Sequence, residues 1–174
     1  AYLLDQETDP MKRMALLVRY LDGVKGTVFR QTLFATFERM MHEAQASGTP
    51  LTQDWLSETY RTLNTKYYGK ALQTDDHIAY EWARIPHFYY RFYVYQYATG
   101  FAAATHLSEA ILSEGTPALE RYLTYLKAGS SDTPIRVMQQ AGVDMTQTAY
   151  LDRTFDVFDT RLKELEQLIA EYKK

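Results

Sequence analysis

The chain has 174 residues, 46% of them hydrophobic and 24% charged, with a formal net charge of −3 and no cysteine. That length fits one domain or part of a larger one. Scattered Lys and Arg argue against a nucleic-acid surface, and the lack of cysteine removes both a disulfide framework and a thiolate zinc site. No apolar run reaches the length of about 20 residues that a spanning helix needs, so the expectation is a soluble, cytoplasmic protein with no membrane partner.

Helical periodicity runs almost throughout and strand signals are weak, which makes the predicted fold class all-α, a helical bundle. Pro10 suits the first turn of a helix that carries Met14, Leu17, Val18 and Leu21 to near Gly23. After Gly26, a second helix is predicted over about Thr27 to Ala46, with Phe29, Leu33, Phe37, Met40 and Ala44 on one face and Gly48-Thr49-Pro50 as its stop. Thr52 is a natural N-cap for a third, in which Leu56, Tyr60, Leu63 and Tyr67 share a face and Gly69 ends the run. A loop is expected over residues 70 to 77 and a short helical stretch from Ile78 to Arg84. Pro86 then disfavours helical geometry at Ile85. A helix holding the tyrosines that follow is predicted to continue to about Leu112. Thr116-Pro117 and Thr133-Pro134 each read as a cap before a proline at the first helical position, and Gly142 as the end of the short helix after Thr133. The last helix, about Thr146 to Lys173, carries Leu151, Phe155, Phe158, Leu162, Leu165, Ile169 and Tyr172, a stripe suited to docking within the molecule.

Residues 87 to 100 are the most distinctive stretch, with His87 just after Pro86, five of the 15 tyrosines, and Gly100 at the close. Phenol and imidazole are neutral donors near pH 7 that can grip a carbonyl or carboxylate. On a helix Tyr90, Tyr93 and Tyr97 would share one face, with Gly100 and Ala104 leaving open space beside them, and His87 could turn toward that space. The plain alternative is that these rings are packing. Other chemistry finds little support. His42-Glu43 begins a zinc-protease helix motif, but Ala46 stands where the second histidine would be. His106 and Glu109 alone make no metal site, so no metal ligand is assigned. No nucleophile elbow or phosphate loop is present. Asp75-Asp76 and the pair Glu164 and Glu166 read as solvated faces, His42 and His106 as surface or capping residues, and Arg30 and Arg84 as candidates for buried pairing.

The run from Arg84 through Ile-Pro-His-Phe-Tyr-Tyr-Arg-Phe-Tyr-Val-Tyr-Gln-Tyr-Ala-Thr-Gly to Phe101 resembles the signature of oligoendopeptidase F, in the thimet-type family of zinc metallopeptidases. Gly26 to Thr32, Tyr67-Tyr68-Gly69 and Ala141 to Met145 resemble the same proteins in the same order, so the likeness covers essentially the whole chain. It implies a helical, zincin-like peptidase that cleaves short oligopeptides internally and binds one zinc through a His-Glu-x-x-His helix and a later glutamate. This chain has neither element, and its opening, Ala1 to Asp5, resembles the segment just after the third ligand. Residues 1–174 are therefore expected to be the C-terminal portion of the catalytic domain, inactive alone. Zinc would belong to the full-length enzyme and none to this chain. The expected partners are an oligopeptide substrate and the upstream part of the same protein. The resemblance further implies that His87 and Tyr97 are catalytic, with Tyr97 the oxyanion donor and His87 near the substrate backbone, while Tyr90, Tyr93 and Tyr95 bind substrate. Because the histidine-to-tyrosine spacing differs among relatives, Tyr93 or Tyr95 is the alternative donor. A non-catalytic helical module, peptide-binding or structural, is the competing reading. Apolar helix faces left without neighbours would favour a homo-oligomer.

Overall fold

The structure, a computed structural model, describes residues 2–73 and 75–173, with the backbone alone at Asp5. Ala1, which opens the segment likened above to the stretch after the third ligand, and Thr74, inside the loop expected over 70–77, lie outside the described residues. The fold is all-α, with eight α-helices and no strand among the described residues. No helix among them is long and apolar enough to cross a membrane. The chain forms two compact units, one of Ala1–Lys25 with Thr99–Lys174 and one of Gly26–Ala98.

The first unit is built on α1 (Tyr2–Gln6) and α2 (Pro10–Val24), with most of α5 (Tyr95–Glu114) and all of α6 (Thr116–Ala128), α7 (Pro134–Gln140) and α8 (Ala149–Tyr172). Pro10 does begin α2, and Asp9 caps it by accepting the Met11 and Lys12 amides. One core joins Leu4, Leu17 and Leu21 to Leu165, with Met14, Phe158 and Leu162 packed around them. The stripe predicted on α8 thus docks through its middle. Phe155, Ile169 and Tyr172 remain exposed, so the seam is shorter than its heptad spacing suggested. Glu164 is not on a solvated face: it is half-buried and pairs with Arg13 and Arg161. A second core gathers Ala102, Ala103 and Leu107 of α5 with Ala141, Val143 and Tyr150. Thr116 is the first residue of α6 rather than its cap; Gly115, at φ 71°, takes the cap position. Thr133 does precede Pro134 at the start of α7, and Gly142, at φ 97°, follows its end.

The second unit holds α3 (Arg30–Ala46), α4 (Gln53–Tyr68) and two short 3-10 segments, Asp76–Arg84 and Pro86–Tyr89. The break predicted at Gly26 does not occur. Lys25–Phe29 forms a π-helical turn instead, and helix continues on both sides of it. Neither Gly23 nor Gly26 takes a positive φ, so neither provides the left-handed residue that stops a helix. Gly69 does, at φ 69°, directly after α4, and Thr52 caps the start of α4 on the Trp55 amide. The core packs Leu33, Phe34 and Phe37 of α3 against Leu56, Tyr60 and Leu63 of α4, closed by Ile85 and Val94. Both tryptophans, Trp55 and Trp82, lie against this cluster, and Trp82 Nε1 donates to Ser57 Oγ at 3.2 Å.

A histidine–tyrosine cluster as the candidate functional site

The candidate residues lie on a segment whose turns are fixed from inside. Ile85 is extended and buried, as expected of a residue before proline. Phe88 packs its ring 5.8 Å from Phe34 and 5.3 Å from Phe37. With Ile85 and Phe88 anchored, His87 lies half-buried between them and Tyr89 and Tyr90 reach solvent.

The tyrosine run is not one helix. After the turn Pro86–Tyr89, Arg91 and Phe92 adopt left-handed backbone at φ 47° and 60°, and α5 begins only at Tyr95. Consecutive left-handed residues other than glycine cost about 1–2 kcal/mol each. The surroundings meet that cost from α3. Glu38, completely buried, accepts the Phe92 amide on Oε1 at 2.6 Å. His42, one turn further along and on the surface as expected, lays its ring 4.5 Å from that of Phe92. Val94, also fully buried, fixes the far side.

This irregular path brings His87, Tyr90, Tyr93 and Tyr97 together, by a different geometry from the helical face predicted for them. The His87 ring stacks on Tyr93 at 6.0 Å and meets Tyr97 edge-on at 5.7 Å. Tyr90 stands edge-on to both His87 and Tyr93, at 6.3 and 6.1 Å. Tyr97 Oη donates to Tyr93 Oη at 3.4 Å and lies 3.4 Å from His87 Nε2. That bond to Tyr93, helped by partial desolvation and by repulsion from Tyr93, raises the Tyr97 phenol above its ordinary value. Tyr97 therefore stays a neutral donor at physiological pH. The other ring nitrogen of His87, Nδ1, is buried and has no partner among the described residues. Both contacts of Tyr97 are long for hydrogen bonds, so a ligand oxygen can replace them at little cost. Tyr95 is exposed at the first turn of α5, two residues before Tyr97, and so faces another way.

A second polar network steadies the approach to Pro86. Glu81 accepts Arg30 Nη2 at 2.5 Å and the Tyr60 hydroxyl at 2.6 Å, and it also pairs with Arg84. Burial alone would raise the Glu81 carboxyl; the bonds from Tyr60 and Arg30 and the two guanidinium charges outweigh it and hold it below its ordinary value. Arg30 also lies over the Phe34 ring, 4.8 Å from its centroid. The pairing expected of the two arginines is real, though Arg84 stays exposed rather than buried, while its acceptor Glu81, and Glu38 on α3, escaped the sequence reading. Glu38 had a signal: a single carboxylate among Leu33, Phe34 and Phe37 on the face that packs inward.

The residues present do not fit a zinc ion. Among the described residues no three His, Asp or Glu side chains converge. Asp75 binds the His77 amide and Asp76 pairs with Arg61 at 3.0 Å.

An all-α chain with a histidine–tyrosine cluster, and no converging metal ligands among its described residues, has a clear class: residues 2–157 match peptidase family M3, and the chain belongs to that family. It is 53% identical over 167 residues to the plasmid oligoendopeptidase F of Lactococcus lactis subsp. cremoris, a match covering 96% of this chain and 28% of that protein. To oligopeptidase PepF of Bacillus subtilis it is 48% identical over 173 residues, covering 99% of this chain and 26% of the relative. The crystal structure of oligoendopeptidase-F from Enterococcus faecium superposes with a TM-score of 0.94 at 56% identity, covering 98% of this chain and 33% of that one. The chain thus spans about 28% of the length of the curated relatives it matches, in their C-terminal portion.

Proposed function

We propose that this chain is the substrate-contacting portion of a zinc metalloendopeptidase that hydrolyses internal bonds of short oligopeptides in the cytoplasm. The convergence of His87, Tyr93 and Tyr97 hydroxyl and imidazole groups at 3.4 Å, in a member of peptidase family M3, carries the reading. The names of the relatives, oligoendopeptidase F and oligopeptidase PepF, support it. Residues 1–174 would be the C-terminal portion of a catalytic domain, and the zinc would be held by residues upstream, since those present here do not fit it.

Within that enzyme, Tyr97 turns its hydroxyl from Tyr93 to the oxygen of the peptide carbonyl and donates to it as negative charge develops there. Such a donor acts mainly on the transition state, because the ground-state carbonyl carries less charge. His87 Nε2 donates to the substrate backbone, and Tyr90 and Tyr93 line the path of the peptide, while Tyr95, facing another way, does not. The chain by itself supplies no activated water and is inactive.

The test is steady-state cleavage of an internally quenched oligopeptide by the full-length enzyme. Tyr97→Phe is expected to lower kcat by about 100-fold with little change in KM, the signature of a donor engaged chiefly in the transition state. His87→Ala is expected to lower kcat/KM. Unchanged kinetics in both variants would refute the reading, as would chelator-sensitive cleavage by the 174-residue chain alone.

A further inference from the structure

Glu38 is a completely buried carboxylate on an otherwise apolar face of α3, between Phe37 and the turn that leads into α5. Its Oε1 accepts the Phe92 amide at 2.6 Å, and its Oε2 is buried with no partner. The amide it holds belongs to the second of two consecutive left-handed residues, Arg91 and Phe92. Those two residues separate Tyr90 from Tyr93 and so determine where both rings stand relative to His87. No other bond to the Phe92 amide is seen, while the Phe92 ring is held separately by His42.

We propose that Glu38 is a positioning residue for the tyrosine cluster, acting through the Phe92 amide to hold the Arg91–Phe92 turn left-handed and thereby set Tyr93 against Tyr97 and His87. This rests on the function proposed above. A carboxylate kept for stability alone would be a poor choice here. Burying a carboxyl group beside apolar rings with one of its oxygens unpaired is costly. What the carboxylate provides is an acceptor for the amide of a left-handed residue in the turn. Relaxation of the turn would let Tyr93 swing away and leave the Tyr97 hydroxyl without its resting partner.

The experiment uses the full-length enzyme with Glu38→Met, Glu38→Gln, Tyr97→Phe and the double variant Glu38→Met with Tyr97→Phe. Glu38→Met keeps the volume and removes the acceptor; it is expected to lose about 10-fold in kcat, read on the folded variant below its melting temperature. Glu38→Gln keeps an acceptor oxygen and should stay within about 3-fold of wild type. In the Tyr97→Phe background, Glu38→Met should add less than about 2-fold, because the group it positions is already gone. Full kcat in Glu38→Met beside a damaged Tyr97→Phe would overturn this proposal and leave the peptidase reading standing. Fully multiplicative losses, or a Glu38→Gln variant as damaged as Glu38→Met, would also overturn it. Wild-type kinetics in both Tyr97→Phe and His87→Ala would instead refute the peptidase reading. Should Glu38→Met not fold, hydrogen exchange at the Phe92 amide of the wild-type enzyme decides: slow exchange is expected, and exchange as fast as an open loop would refute the proposal.

Discussion

A phenol has a single proton to donate, and in this chain the proton of Tyr97 rests on a neighbour of the same kind. That arrangement keeps the group neutral and aimed, and it leaves no charge to repel a peptide carbonyl. Glu81 shows the opposite device, a carboxylate kept ionised by two guanidinium groups and the Tyr60 hydroxyl. Its folded-state pKa lies below the ordinary 4.5, so the folded protein takes up that proton less readily than the unfolded chain. The stabilisation is complete above the unfolded value and is lost as pH falls through the lower, folded value. Melting temperature should therefore drop more steeply for wild type than for Glu81→Gln between about pH 6 and about pH 3. Parallel curves would remove Glu81 from the account. At this scale the sequence was a partial guide. Tyrosines three and four apart were legible as partners, and so was Arg30 as a partly buried pair, whereas Arg84 makes its pair from an exposed position. The acceptor of Arg30 was not, because Glu81 reaches it from 51 residues away along the chain, and neither was Glu38, which reaches the Phe92 amide from 54.

Among the elements, helix ends were legible where a side chain or a left-handed glycine physically terminates the ladder, as at Thr52 and Gly69. Gly23 and Gly26 misled, since a glycine that stays in helical φ marks no boundary. The Cβ of an alanine at position 23 would meet no atom within 4 Å. Gly23→Ala is accordingly expected to stabilise the chain by about 0.5–1 kcal/mol, read by urea denaturation, through reduced freedom of the unfolded state. A loss of stability would mean that the position needs glycine for a reason other than space. The stripe on α8 divides in the same measurement. Leu165, buried against Leu17 and Leu21, should cost about 2–4 kcal/mol when changed to Ala. Ile169, at 39% exposure, should cost less than about 1 kcal/mol. Equal losses would mean that the seam continues past Leu165. The tyrosine segment failed as a predicted helix for a definite reason: helical spacing is scored along the chain, whereas the Arg91–Phe92 turn is imposed from α3.

For the molecule as a whole, fold class was the most legible property, since period-3.6 patterning over many segments leaves little room for a sheet. The family resemblance located the candidate site because it rests on a long aromatic signature rather than on composition. Large apolar side chains at Leu3, Val18, Leu126 and Ile135 are each 45% exposed or more, as is Tyr2. Such surface favours association, and the isolated chain is expected to scatter light as a dimer or a larger species; a monomer at high concentration would contradict this. The placement of the two indoles has a consequence for any such study in solution. Trp55 and Trp82 both belong to Gly26–Ala98, so tryptophan emission follows that unit alone, while far-ultraviolet circular dichroism weights every helix. Coincident melts by the two signals would mark one cooperative transition. Divergent melts would give each unit its own stability, from a single unlabelled sample.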